Sequence, residues 1–201
     1  MTRRSDSADG PARRDEILAA AATLFAEHGV HAVSTRKIAQ QVGISQPSIY
    51  AHFTSLREIQ EEVSARAFAQ LEERLVAAAA HAPDERLRQC VHTYLDFGMS
   101  HPHAYRIAFM IEHPGGDEPD AFATFLATDH PGPRAFEQVL HTVAAVRPDL
   151  THDGIRMRAR SLWAMLHGLV SLLLARPGFP WEDRARLLAE HAALAEALVR
   201  M

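Results

Sequence analysis

Apolar residues recur at three- and four-residue steps along most of this chain, and no convincing alternation of period two appears. The pattern predicts an all-α protein. Ile59, Val63, Ala67, Leu71 and Leu75 mark a long helix over 56–81, and Leu87, Val91, Tyr94 and Leu95 mark another over 84–100. His101-Pro102 breaks the pattern, and 103–111 reads as a short, very apolar helix. The stretch from Glu112 to Pro133, rich in Pro, Gly and Asp, reads as a loop with a turn or two around Phe122 and Phe125. Phe136, Val139, Leu140 and Val143 predict a further helix, stopped at Arg147-Pro148-Asp149. The two strongest patterns come last. Ile155, Leu162, Leu166, Leu169 and Leu173 line 152–175; Leu187, Leu188, His191, Leu194 and Leu198 line 181–200.

The segment 34–56 is punctuated more tightly. Ser34 is an N-cap, with Val33 before it and Ile38 after it spaced as a hydrophobic staple. Gly43 ends that helix where a left-handed residue is needed, and Ile44 follows at a position that drops into the core. Ser45 caps a second short helix with Pro47 in its first turn, where a missing N–H costs little. Ser55 and Glu58 form the S-x-x-E pattern of a capping box, so a new helix begins there. Helix, Gly turn, and a short helix with an exposed polar N-terminus make a helix-turn-helix.

These residues resemble the DNA-binding domain of the TetR/AcrR family of bacterial transcriptional regulators, from a first helix at 13–30 into the fourth at 56–81. The ordered run Ser34-Thr35, Ile38-Ala39, Gly43-Ile44-Ser45 and Ile49-Tyr50-Ala51-His52-Phe53 carries the likeness. It departs from the family at Leu56, where a phosphate-gripping Lys is usual; Arg57 stands next to it. Trp163-x-x-x-His167-Gly168 is similar to a signature in the C-terminal domain of one TetR subgroup, and H-P-x-x-Y-R at 101–106 accompanies it. The resemblance implies an arm at 1–12, a three-helix DNA-binding domain at 13–57, and an effector-binding and dimerisation domain at 58–201.

Charge changes the picture slightly. The net charge is −4, yet residues 1–57 hold seven basic and five acidic side chains while 58–201 hold fourteen and twenty. A mildly basic head on an acidic body suits a protein that touches DNA with one end. The longest nearly apolar run, Leu166 to Ala175, is well short of the roughly 18–20 residues of a membrane span. The start, MTRRSDSADG, has no apolar run of a signal peptide, and Cys90 has no partner for a disulfide, so the expected location is the cytoplasm.

For the DNA face the expected residues are Ser34, Thr35, Arg36, Gln46, Pro47, Ser48, Tyr50, His52 and Arg57. Arg36, two residues after the cap, has the fork to read a guanine edge; otherwise it is an exposed arginine at a helix start. Gln46, Pro47 and Ser48 open the recognition helix, while Tyr50, His52 and Thr35 have donors for phosphates, Tyr50 being equally a half-buried packing residue. Tyr94, Phe97, Tyr105, Phe109, Met110, Trp163 and His167 either line an effector pocket or form plain core; the resemblance favours a pocket for the set, holding a mostly apolar molecule with His167 as its polar anchor. The resemblance also implies a homodimer seam of Gly168, Leu169, Leu173, Leu187, Leu194 and Leu198. His101-x-His103 with His113 lacks the Cys or carboxylates that complete a metal site, and no cofactor is expected. Cys90 reads as a small apolar filler.

The leading reading is a homodimeric repressor of operator DNA released by a small molecule. An activator or a ligand-independent regulator of the same fold fits the residues as well. An enzyme finds no G-x-S-x-G, H-E-x-x-H or G-x-x-x-x-G-K to support it.

Overall fold

Two stop signals explain the first half of the architecture. The structure, a computed structural model, describes residues 9–110, 129–181 and 183–201. Helix α1 (Asp9–His28) ends at Gly29, whose φ of 80° most side chains avoid; a 3₁₀ turn (Val30–Ala32) then leads to α2 (Thr35–Val42). Gly43, at φ 76°, closes α2 with two backbone bonds: its own N–H to Gln40 at 3.2 Å and that of Ile44 to Ala39 at 3.0 Å. This is a Schellman end. Helix α3 (Gln46–Tyr50) and α4 (Leu56–Ala78) follow. The expected arm at 1–12 is shortened by the start of α1 at Asp9, because Pro11 falls in a first turn, where its missing N–H has no partner to lose.

The remaining described helices are α5 (Pro83–Ser100), α6 (Pro102–Met110), α7 (Pro131–Val146), α8 (His152–Ala175) and α9 (Arg184–Arg200). Each starts on a recognisable signal. Pro83 occupies the first turn of α5, Thr151 Oγ1 accepts the Gly154 N–H at 3.2 Å, and Asp183 accepts that of Arg186 at 3.1 Å. The expected loop at 112–133 gives way at its end, since Pro131 to Pro133 already belong to α7, capped by His130 Nδ1 on the Gly132 N–H at 3.0 Å. Phe122 and Phe125 lie outside the described residues. Among the described residues every element is helical, and no helix is long and apolar enough to cross a membrane.

The chain divides into two compact units, one of Met1–Ala67 with His103–His113, the other of Phe68–Pro102 with Pro114–Met201. The first has one core: Ile17, Leu18, Ala21, Phe25, Val33, Ile38, Ile49, Phe53, Ile59, Val63 and Ile107. This moves the expected boundary at 57/58. Helix α1 and the two short helices α2 and α3 leave this core open, and the first turns of α4 and Ile107 of α6 complete it. In the second unit α5 packs on α7, α8 and α9, with Leu87, Val91, Phe97, Val143, Leu162 and Val170 fully buried. Cys90 is buried there, and desolvation pushes its thiol up to about 12 despite a hydrogen bond with Thr142. It fills space rather than reacting.

Candidate nucleic-acid interface

The helix-turn-helix is built by short local rules. Ser34 Oγ accepts the Lys37 N–H at 3.3 Å and Ser45 Oγ accepts that of Ser48 at 3.3 Å, so both helix starts carry the expected caps. Val33 and Ile38 meet in the same core, which makes the staple. The second half of the expected capping box differs. Ser55 Oγ does take the Glu58 N–H at 3.1 Å, but the Glu58 carboxylate accepts from the N–H and hydroxyl of Thr54 at 2.6 and 2.7 Å. Those bonds, the backbone one foremost, and Arg14 hold Glu58 below its ordinary carboxylate range.

On the outward side, Arg36, Gln46, Pro47, Tyr50 and Arg57 are exposed, while Ser48 and His52 are half-buried. The Ser48 hydroxyl lies 2.7 Å from that of Ser45 and is occupied locally. Lys37 is tied back to the Ala32 carbonyl at 2.8 Å. Arg57 pairs with Glu61 on its own helix at 2.7 Å, an exposed pair that costs little to break. Thr35 departs from expectation. It is only 7% exposed, and its hydroxyl faces Tyr50 Oη at 3.3 Å and Gln46 Nε2 at 3.1 Å rather than solvent. A buried hydroxyl between two side chains is poorly placed to donate to a phosphate.

The sequence pattern does not single out Arg14 of α1. Its guanidinium hydrogen-bonds the His52 carbonyl, Glu62 and, at 3.1 Å, Glu58, and its centre lies 4.0 Å over the Phe53 ring. Arg66 on α4 pairs with Asp15 at 2.5 Å beside it. The partners stand 38 to 48 residues from Arg14, so no local spacing rule would reveal them.

In the second unit four polar side chains form a line. Trp163 Nε1–H donates to Tyr94 Oη at 3.1 Å, Tyr94 Oη lies 3.4 Å from His167 Nδ1, and His167 Nε2 lies 3.1 Å from Ser171 Oγ. The Tyr94 hydroxyl thus bridges the Trp163 indole and the His167 imidazole. The neutral ring suits this line, and burial lowers the His167 pKa. Phe97 is fully buried and stacks on His101 at 5.6 Å, so it is core; His101 is also bonded to Arg74 at 3.1 Å. Tyr105 and Phe109 belong to the first unit, 4.7 Å apart. The expected pocket set is therefore split between the units. The side chain of Met110 and the whole of His113 lie outside the described residues.

His167 gives a pH prediction. Its folded pKa is depressed below 6.5, so the unfolded chain takes up the proton first as pH falls. The stabilisation is complete above about 6.5 and is lost as pH drops from there to the folded pKa. Wild-type Tm should therefore fall more steeply as pH drops below about 6.5 than that of His167→Gln. Parallel Tm profiles would contradict the assignment.

Of the expected seam, Leu169 and Leu173 turn inward, Leu173 being 2% exposed, and belong to the core of the second unit. Leu187, Leu198 and Gly168 are half-buried, and Leu194 is 57% exposed. A side-chain Cβ at Gly168 would meet nothing within 4 Å, so among the described residues no neighbouring helix approaches it closely. Met157 and Leu172, absent from the expected seam, are exposed on the same stripe of α8 as Ser161, Ala164 and Gly168. Their spacing of four, three, four and four residues was the available signal.

Two family profiles match the chain: bacterial regulatory proteins of the tetR family over residues 17–63, and the tetracyclin repressor-like C-terminal domain over residues 87–199. The chain belongs to the TetR family. The transcriptional activator FasR of Mycolicibacterium smegmatis is 33% identical over 99 residues, 48% of this chain and 45% of FasR. The transcriptional repressor KstR2 of the same organism is 48% identical over 59 residues, 29% of each chain. The chain thus spans less than half the length of either curated relative. A regulatory protein of the tetR family from Rhodococcus RHA1 shares the fold, with a TM-score of 0.66 at 19% identity over 92% of this chain and 96% of that one. TetR-family membership, a family of regulators, sets aside the enzyme alternative. Against the family pattern, Leu56 is half-buried and packs on the N-terminal core, so it supplies no phosphate contact.

Proposed function

We propose that the chain is a DNA-binding transcriptional regulator in the cytoplasm, acting as a homodimeric repressor that a small, mostly apolar molecule releases from its operator. The observation that carries the DNA reading is the outward face of α2 and α3. It holds Tyr50, 52% exposed, and Arg36, a basic side chain on α2 turned to solvent, on a fully capped scaffold. Arg36 is free to read a guanine edge, Tyr50 to grip a phosphate, and Arg57 to leave Glu61 for the phosphate that the usual lysine would hold.

The exposed stripe on α8 and Leu194 on α9 support dimerisation through the last two helices, which sets two heads roughly 34–36 Å apart for successive major grooves. The line from Trp163 to Ser171 supports an effector site around Trp163, Tyr94 and His167 in the second unit. Since both His167 nitrogens are already engaged, a ligand bound through His167 displaces Tyr94 or Ser171. Release then follows from a population shift between two head arrangements.

Electrophoretic shifts on the DNA upstream of the coding sequence test the reading. Tyr50→Ala should weaken binding at least about tenfold while sedimentation still finds a dimer. Equal affinity for variant and wild type would remove the docking. Trp163 fluorescence should report effector occupancy. FasR is named an activator, which favours activation as the second reading. A reporter behind the bound DNA decides: its output rises on deletion of a repressor and falls on deletion of an activator.

A further inference from the structure

We propose that Thr35 is a positioning residue that sets which face of the Gln46 amide meets a base, through a hydrogen-bonded chain whose polarity Tyr50 fixes when it grips a phosphate. This rests on the DNA-docking reading above. Thr35 is buried, and its hydroxyl stands between Gln46 Nε2 at 3.1 Å and Tyr50 Oη at 3.3 Å. Gln46 and Tyr50 are both exposed on the outward face. One buried hydroxyl thus links two exposed groups, one from each end of α3.

The chain has two polarities, because a hydroxyl carries one proton and either oxygen of the Thr35–Tyr50 pair can donate. In the first, Gln46 N–H donates to Thr35, Thr35 to Tyr50, and Tyr50 outward. In the second, Tyr50 donates inward, Thr35 donates to Gln46 with its amide turned over, and the Gln46 NH₂ faces out. A phosphate oxygen only accepts, so a Tyr50 bound to phosphate must spend its proton outward. That leaves its oxygen to accept from Thr35, and Thr35 to accept from Gln46. The Gln46 carbonyl oxygen is then held away from Thr35, toward solvent. An acceptor in the major groove meets the adenine N6 or cytosine N4 amino group; adenine also offers N7 to the second amide N–H and is the better match. Guanine O6 and thymine O4 are acceptors and are disfavoured. The phosphate contact and the base choice are coupled through Thr35.

The test is selection of bound sequences from random DNA by the full chain. Wild type should enrich adenine, with cytosine second, at one position per half-site that depends on Gln46, as Gln46→Ala identifies. Thr35→Val, equal in shape but without the hydroxyl, should lower that preference about tenfold and leave the other positions unchanged. Thr35→Ser should restore it. Tyr50→Phe should relax the same position, and it decides the matter if circular dichroism finds Thr35→Val unfolded. An unchanged base preference in Thr35→Val, or in Tyr50→Phe, overturns the inference while leaving the DNA reading intact. A preference for guanine or thymine at the Gln46-dependent position overturns it too. A wild type that selects no sequence overturns both readings.

Discussion

Replacing Arg14 by alanine should destabilise the N-terminal unit by about 2 kcal/mol and weaken operator binding in proportion. The guanidinium does three things at once. It lies 4.0 Å over the Phe53 ring, hydrogen-bonds the His52 carbonyl at the end of α3, and pairs with Glu58 and Glu62, one turn apart on α4. A cation over an aromatic ring contributes roughly 0.5–2 kcal/mol, and hydrogen bonds to charged groups about 1.5–3, but partial exposure screens the ion pairs and argues for the lower end. Without Arg14, two carboxylates four residues apart repel each other and the His52 carbonyl loses its donor. The corner between α3 and α4 then lacks its clasp to α1, and α3 carries the residues proposed to read DNA. Arg14→Lys should recover less than half of the loss, since an ammonium cannot fork between two carboxylates and stack on Phe53 together. Urea melts measure the stability and gel shifts the affinity. An alanine variant with the wild-type urea midpoint would show the clasp to be idle.

Arg14 also marks where sequence reasoning stops. Caps and turns obey local rules, so the roles of Ser34, Ser45 and Gly43 are legible in the residue order alone, as is the staple of Val33 on Ile38. The Glu58 carboxylate follows the local rule only halfway, because Arg14 and Thr54 offer it donors that the S-x-x-E pattern does not contain. Thr35 is legible as a polar residue at a helix start, but its burial between Gln46 and Tyr50 depends on how α3 crosses α2. Periodicity finds that α8 has apolar stripes without ranking them. Leu162, Leu166, Leu169 and Leu173 turn to the protomer's own core, and the stripe through Gly168 and Leu172 is left outside. Two apolar faces on one helix are indistinguishable until the neighbouring helices are in place. The unit boundary inside α4 is hidden for a related reason: the helix is continuous, and only its side-chain partners change.

Outward and inward positions on α8 and α9 lead to opposite expected results for similar substitutions. Leu194→Glu on α9 should give a folded monomer, because a side chain 57% exposed in the protomer tolerates charge within about 0.5 kcal/mol. In a seam between copies the same carboxylate would be buried without a partner, at a cost of several kcal/mol. Gly168→Leu should act likewise: its Cβ meets nothing within 4 Å in the protomer, so the fold accepts it, while the added bulk holds a second copy away. Leu173→Glu, at 2% exposure, should instead unfold the second unit. Circular dichroism separates folded from unfolded, and sedimentation separates monomer from dimer. Operator affinity should fall at least about a hundredfold in the folded monomers, since a lone head loses the effective concentration that its tethered partner provides. A Leu194→Glu protein that still sediments as a dimer and binds the operator as wild type does would move the interface off α9, whatever Leu173→Glu does.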